Sequence, residues 1–337
     1  MENEQIVFAQ FPDGLPDEQT FRYEPAEIIE PKQGEVLLET AYLSIDPYFR
    51  NGMIKGASYV TALKIDQPIW GRGLAKVIQS KDNTVKEGDI VRGLFEWKRY
   101  NTMSAEDIEV LNVDDDIPVH WYLGALGATG QTAYHGLLEI GQPKAGETVV
   151  VSAASGAVGS VVGQIAKIKG CYVVGIAGGK AKTQYLIDEL GFDDAVDYKK
   201  ENYAEALAKA VPNGVDVYYE NVGGTVANEV FKHLNSFARI PVCGSISNYN
   251  DKEISYEPAV QPILIKNQAL MQGFLASQFK DDFERAEKDL AQWIKDGKLK
   301  TKTSLVKGFG NIPSAFRALF TGKEIGKQIV QVSSVLD

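Results

Sequence analysis

Two rhythms of hydrophobic and polar positions divide the chain near residue 125. Before it, short alternating runs are separated by turn residues: EVLLETAYLSI at 35–45, GLAKVIQS at 73–80 and DIVRGLF at 89–95, with EGD at 87–89 as a turn. Alternation with period two predicts strands with one face buried, and helical spacing is scarce, so a small β-rich domain is expected. Beyond Gly130 the rhythm changes. TVVVSA at 148–153 is continuously apolar, the pattern of a parallel strand covered on both faces. It runs into AVGSVVGQIAKIKG, where Val158, Val161, Val162, Ile165 and Ile168 recur at helical spacing and Gly170 is placed to cap the end. Strand-like runs at 172–177, 195–197, 215–220, 238–243 and 269–274 then alternate with helical stretches at 180–190, 203–211 and around 225–234. This alternation predicts a doubly wound, mostly parallel sheet. A long loop is expected from about 245 to 265, a helix at 281–296, and a return to short strands ending in KQIVQVS at 327–333.

Composition narrows the function classes. The chain of 337 residues is long enough for two domains, and 44% hydrophobic with 24% charged residues is ordinary for a folded soluble protein. Its 35 basic and 45 acidic side chains give a net charge of −10, which disfavours nucleic acid and anionic membranes as partners. Any anionic ligand must then be held by a local positive feature. The opening MENEQIVFAQ has no secretory pattern, and no apolar run approaches the ~18 residues of a membrane span. The expectation is a cytoplasmic protein. Cys171, Cys243, His120, His135 and His233 stand apart with no CxxC or HxxxH spacing, so no metal site is expected. The acidic run Asp114-Asp115-Asp116 reads as a solvated loop.

The first chemical signal is Ala153-Ala154-Ser155-Gly156-Ala157-Val158-Gly159, set between the apolar strand and the amphipathic helix. A dinucleotide pyrophosphate needs a tight turn, close backbone approach and a helix N-terminus. Gly156 and Gly159 suit that need, although alanine replaces the first glycine of the usual GxGxxG. Read by itself, the same turn also suits close strand-to-helix packing. About 20 residues on, NAD binders place an acid at the end of the second strand. Here the sequence is Ile176-Ala177-Gly178-Gly179-Lys180-Ala181-Lys182. Without an acid and with two lysines following, a 2′-phosphate finds room and charge, which points to NADPH over NADH.

Read together, LSIDPYFR (43–50), the stretch from LGALGATGQTAYHG through IKGC (123–171), YYENVGG (218–224), ARIPVCGSISNYN (238–250) and MQGF (271–274) carry a resemblance almost end to end. The chain resembles the medium-chain dehydrogenase/reductase superfamily, in its zinc-independent branch of leukotriene/prostaglandin reductases, plant double-bond reductases and bacterial curcumin-reductase-like proteins. The resemblance implies a GroES-like β-rich catalytic domain at 1–125, completed by 300–337, and a Rossmann domain at 126–299. It also implies a homodimer joined through the Rossmann domains. Gly156, Ala157, Val158 and Gly159 would contact the pyrophosphate. Lys182 matches the lysine at the 2′-phosphate, and Tyr198 a tyrosine at the same adenosine end. Thr132 and Asn221 would border the cofactor. Cys243, Gly244, Ser245, Ile246, Ser247 and Tyr249 match a loop passing the nicotinamide, and Phe274 a residue whose backbone reaches the carboxamide. Tyr48 and Tyr249 match tyrosines of the substrate pocket, and both are the candidate catalytic residues. As residue types alone they read as packing tyrosines, and Cys243 as a buried strand-end cysteine.

Several positions depart from the family pattern. Asn51 and Gly52 stand where Gly and Arg are usual, which would alter the pocket mouth. Gln131 replaces a leucine. Glu324 stands where an asparagine meets the cofactor, and either Lys323 or Lys327 would have to offset its charge. The activity implied is NADPH-dependent reduction of the C=C bond of α,β-unsaturated ketones and aldehydes. Hydride goes to the β-carbon, and Tyr249, a donor at neutral pH, stabilises charge on the carbonyl oxygen. The last proton comes from a tyrosine or from water. A quinone reductase shares fold and cofactor. An alcohol dehydrogenase is disfavoured by the sparse Cys and His inventory. From another class, a non-catalytic NADPH-binding sensor or structural protein uses the same fold.

Overall fold

Alternating apolar positions take up strands through the first third of the chain: β1 (Asn3–Phe8), β2 (Phe21–Ala26), β3 (Glu35–Ser44), the short helix α1 (Phe49–Gly52), β4 (Trp70–Ser80), β5 (Ile90–Glu96), β6 (Tyr100–Ser104) and β7 (Ile108–Val110). Helices and strands then alternate: α2 (Ala128–His135), continued by a π-helical turn at Gly136–Gly141, β8 (Thr148–Val151), α3 (Gly159–Ile168), β9 (Tyr172–Ala177), α4 (Lys180–Asp188), β10 (Asp194–Asp197), α5 (Tyr203–Ala210), β11 (Val215–Tyr219), α6 (Gly224–Phe231), β12 (Leu234–Val242), α7 (Gln261–Asn267), β13 (Leu270–Gly273) and α8 (Phe283–Lys295). The tail adds β14 (Thr303–Lys307), α9 (Ile312–Ala318) and β15 (Lys327–Gln331). The computed structural model describes residues 2–56, 58–253 and 256–337. It divides into two compact units, Met1–Leu123 with Thr303–Asp337, and Gly124–Lys302.

The first unit is built on a mixed sheet in the order β14-β15-β3-β4-β5-β7, with β6 also paired to β3 and β1 paired to β2. β15 lies between β14, parallel to it, and β3, antiparallel to it. The tail therefore completes the sheet. Its side chains complete the core as well: Phe309 and Phe316 pack with Phe21, Phe49, Phe95 and Trp97, all buried.

The second unit carries a six-stranded sheet in the order β10-β9-β8-β11-β12-β13, every pairing parallel. This is the doubly wound arrangement that the alternation predicts, and the strand order reverses between β8 and β11. β8 is buried at every position, which accounts for its unbroken apolar run. Gly170 follows α3 with φ of 81°, the left-handed geometry a helix-ending glycine adopts.

Four helices escape the sequence pattern, α1, α2, α7 and α9. α2 buries Gly130, Gln131, Ala133, Tyr134 and His135, so it is enclosed nearly all round and shows no single apolar stripe. The expected loop at 245–265 holds a single helical turn at Ile246–Asn248 and the start of α7, which Pro262 opens. Among the described residues no helix is long and apolar enough to cross a membrane.

A buried ion pair ties the tail to the turn after β3. Lys327 Nζ lies 2.8 Å from Asp46 Oδ1 and donates to the carbonyl of Ile45 at 3.0 Å, while Ser44 Oγ donates to Asp46 Oδ2. Both charged side chains are almost wholly enclosed. Removing one partner leaves the other charge buried and unmatched, at about 3–5 kcal/mol. Lys327→Met is therefore expected to lower the unfolding free energy by about that much. Adding Asp46→Asn should recover a substantial part of the loss. Urea denaturation of the two variants measures this, and a double variant no more stable than the single one would contradict it.

Candidate active site

In an open parallel sheet, ligands bind beyond the carboxyl ends of the strands where the strand order reverses. In this chain the place is the space beyond β8 and β11. After β8, Ala153 takes a left-handed φ of 48° and the backbone turns into α3. A Cβ on Gly159 would stand 2.5 Å from the Ala153 carbonyl oxygen and 2.8 Å from Ala154 Cα. Only glycine lets the helix leave so close to the strand. At Gly156 a Cβ would meet the same oxygen at 3.2 Å and nothing else within 4 Å. Gly156, Ala157, Val158 and Gly159 thus form an open turn into a helix N-terminus, where the leading amides lack intrahelical acceptors.

Beside this turn lies a residue that the sequence reading passed over. Glu220, directly after β11, is 2% exposed. Its Oε1 accepts from the amides of Val222 at 2.6 Å and Gly223 at 3.0 Å, and from Ser152 Oγ at 3.0 Å. Burial raises its carboxyl above the ordinary range, while these donors pull it back. Ser152 Oγ in turn accepts the amide of Asn221 at 2.9 Å, and Asn221 Nδ2 donates to the Ser152 carbonyl at 2.8 Å. Asn221 therefore laces the end of β11 to the end of β8. The stretch VDVYYENVGG holds two carboxylates, Asp216 and Glu220, and nothing in it marks which one becomes buried.

The loop after β12 is fastened to the same network. The carbonyl of Glu220 accepts from the amides of Cys243 at 2.8 Å and Gly244 at 3.3 Å, that of Asn221 from Ile246 at 3.2 Å, and that of Val222 from Ser247 at 3.0 Å. Ser245 packs against Gly223, its Cβ 3.2 Å from where a side chain there would begin. Tyr249 closes the turn with its hydroxyl 3.0 Å from the place a Cβ on Gly244 would occupy. A larger residue at 244 would displace that hydroxyl. Burial pushes the Cys243 thiol up to about 12, beside the Tyr219 hydroxyl. Tyr219 donates to the carbonyl of Thr132 at 2.8 Å, and Thr132 Oγ1 donates to the Ala128 carbonyl, so α2 is held to the sheet. Phe274, buried just beyond β13, meets Tyr219 edge-on at 6.3 Å. These residues gather at the carboxyl ends of β11, β12 and β13.

The other flank is formed after β9 and β10. Ala177 ends β9 without an acid, and Lys182 sits half-buried in the first turn of α4, with Lys180 more exposed. The Tyr198 ring lies over Gly178, 2.9 Å from where a Cβ would stand. Asp197 at the end of β10 accepts the amides of Gly179 at 2.9 Å and Lys199 at 3.1 Å, holding the two loops together. A cavity of about 340 Å³ lined by Lys144, Glu147, Asp216 and Arg239 lies instead at the amino ends of β8, β11 and β12, away from these loops.

Family models match both parts of the chain: residues 4–111 match the N-terminal domain of oxidoreductase, and residues 157–292 match a zinc-binding dehydrogenase. The NADPH-dependent curcumin reductase of Escherichia coli is 41% identical, covering 98% of this chain and 97% of its own. A 2-alkenal reductase (NADP(+)-dependent) of Nicotiana tabacum is 38% identical, over 98% of each chain. The crystal structure of CurA from Vibrio vulnificus in complex with NADPH superimposes with a TM-score of 0.93 at 41% identity, covering 98% of this chain and 99% of that one. The chain belongs to the zinc-independent branch of the medium-chain dehydrogenase/reductase family. It is an oxidoreductase.

The residues of this medium-chain reductase do not fit a thiolate zinc centre. Burial raises the Cys171 thiol to about 11, and its Sγ donates to the Lys144 carbonyl at 3.3 Å. Among the described residues neither Cys171 nor Cys243 belongs to a cluster of three or more potential ligands, which a structural zinc centre requires.

In the other unit of this reductase, Tyr48 stands at the head of α1, half-buried, its ring against Phe49 at 4.6 Å. Burial and the charge of Asp46 raise its hydroxyl's pKa, offset by a hydrogen bond with Arg72. Asn51 donates to the Tyr59 hydroxyl at 3.1 Å. One expectation needs correcting. Lys327 does not offset Glu324, because it is buried against Asp46.

Glu220→Ala is expected to leave the Val222 and Gly223 amides without their acceptor. At ~1–3 kcal/mol for each of these two donors left unmatched, the loss should be at most about 2–6 kcal/mol. Glu220→Gln, which keeps an acceptor oxygen, should lose much less. Equal urea midpoints for the two variants would show that the carboxylate does not organise the loop.

Proposed function

We propose that this chain is an NADPH-dependent reductase of the carbon–carbon double bond in α,β-unsaturated ketones and aldehydes. The observation that carries the reading is the meeting, at the strand-order reversal, of an open glycine turn with the loop that bears Tyr249. The names of the curcumin and 2-alkenal reductases, each matched over nearly its whole length, support it.

The residues present fit NADPH. The space over Gly156, open beyond a single 3.2 Å neighbour, suits a pyrophosphate at a helix N-terminus. Lys182, after a strand end that lacks an acid, suits a 2′-phosphate, with Tyr198 flanking the adenosine. Thr132, Asn221, the Cys243–Tyr249 loop and the backbone at Phe274 would border the nicotinamide half. When bound, NADPH supplies the hydride that the β-carbon of the substrate receives. Negative charge then gathers on the substrate's carbonyl oxygen, and the Tyr249 hydroxyl donates to it. A donor already held in place by the loop's hydrogen bonds needs little reorganisation at that moment. Tyr48 serves the substrate pocket. At the edge of the sheet β13 has one unpaired side, with Leu270 and Leu275 about half exposed and Ile265 more so. An open edge with apolar flanks supports a homodimer.

The reading is tested by NADPH oxidation against a panel of enones, enals, quinones and simple aldehydes. Turnover of quinones alone would replace it with a quinone reductase. A charge-assisted contact is worth about 1.5–3 kcal/mol, so Lys182→Ala should lower kcat/KM for NADPH roughly tenfold to a hundredfold while NADH use barely changes. An unchanged NADPH/NADH ratio would remove Lys182 from the 2′-phosphate. Tyr249→Phe should slow single-turnover enone reduction roughly tenfold to a hundredfold without changing NADPH affinity. A rate equal to that of the parent enzyme would remove Tyr249 from the chemistry.

A further inference from the structure

At the end of α2 a buried histidine presents a lone pair that no donor satisfies. His135 is fully buried. Its Nε2 lies 3.2 Å from Gln131 Oε1, and Gln131 Nε2 donates to the Phe283 carbonyl at 3.0 Å. That second bond orients the amide with its oxygen toward the ring, so Nε2 carries the proton and Nδ1 is left as an acceptor. Nδ1 has no hydrogen-bond partner. The group it faces is Asp282 Oδ2 at 3.9 Å, another acceptor. Glu139, one helical turn beyond His135, brings a further carboxylate, and one ligand atom from each of the three lies within 4.8 Å of the others.

Arg285 brings a positive charge to this cluster. Its guanidinium holds Asp282 at 2.7 and 2.5 Å and reaches Glu139 at 3.4 Å. Burial lowers the pKa of the imidazole although the Asp282 and Glu139 charges oppose the shift, and this favours the neutral ring whose bare nitrogen faces Asp282. Ring stacking on Phe279, 4.9 Å away and nearly parallel, restrains that direction. Two acceptors and a bare nitrogen converging in this way are stable together when a cation stands between them.

We propose that His135 Nδ1, Glu139 and Asp282 form a binding site for a borderline divalent cation, zinc foremost. One imidazole nitrogen and two carboxylates are a donor set suited to zinc. The proton on Nε2, directed at Gln131, supplies the outer hydrogen bond that metal-bound histidines make, with the tautomer already selected. Glu139 and Asp282 are partly exposed, so their side chains can turn to close on a metal. Arg285, more than half exposed, can swing into solvent. The cation would pin α2 and its π-helical turn to the Ala276–Asp282 segment. It takes no part in hydride transfer, and turnover should survive chelation.

The test is calorimetric titration of the chelator-treated whole protein with zinc chloride, alongside nitrogen NMR of the protein labelled in its three histidines. One equivalent should bind, and the His135 Nδ1 resonance should move from the bare-nitrogen position to that of a coordinated nitrogen. Loss of even an outer-shell partner costs metal sites ~10–100-fold, so Glu139→Gln and Asp282→Asn should each weaken binding at least about tenfold. Both positions are exposed enough for the variants to fold. Arg285→Gln should tighten binding by removing the competing cation. An unmoved His135 resonance, or affinity indifferent to both carboxylate changes, would overturn the proposal.

Discussion

A buried carboxylate needs donors around it, and that need shapes the whole rim of the second unit. Glu220 lies where β8 and β11 diverge, with almost no contact with water. An unsolvated charge there would cost several kcal/mol. Curling 220–224 back on itself brings the Val222 and Gly223 amides and the Ser152 hydroxyl onto one oxygen. The curl also leaves the carbonyls of Glu220, Asn221 and Val222 facing outward, and these are the acceptors that hold the loop after β12. Three strand ends become a single hydrogen-bonded wall, and Tyr249 is set on it.

The first unit uses the same device at a different place. Asp46 and Lys327 are far apart in the chain and meet because β15 inserts beside β3. Their pairing anchors the turn that leads into Tyr48. In each unit a charged group inaccessible to water is matched by groups from distant parts of the chain, so strand ends and turns are fixed together. Most buried polar atoms find a partner; among the described residues His135 Nδ1 and the second carboxylate oxygen of Glu220 are two that do not.

Legibility followed burial geometry. β3, β4 and β5 were readable because one covered face leaves a period of two, and β8 because two covered faces leave an unbroken apolar run. α2 was unreadable because a helix enclosed nearly all round has no stripe. The glycine turn could be read because its backbone requirement excludes other residue types, as the 2.5 Å approach at Gly159 makes plain. Glu220 and the His135 cluster could not be read, because a carboxylate or histidine in a sequence gives no indication of what it will face.

The sequence by itself determined the two element rhythms, the parallel doubly wound sheet, the glycine turn and the absence of an acid after β9, since each follows from local periodicity or backbone sterics. Tertiary structure alone decided which charged groups became buried and what they met. Glu220 reaches Ser152 across 68 positions, and Lys327 reaches Asp46 across 281. Whether such a group is solvated, paired or left bare depends on strand order and on the elements packed over it, and no local pattern carries that information.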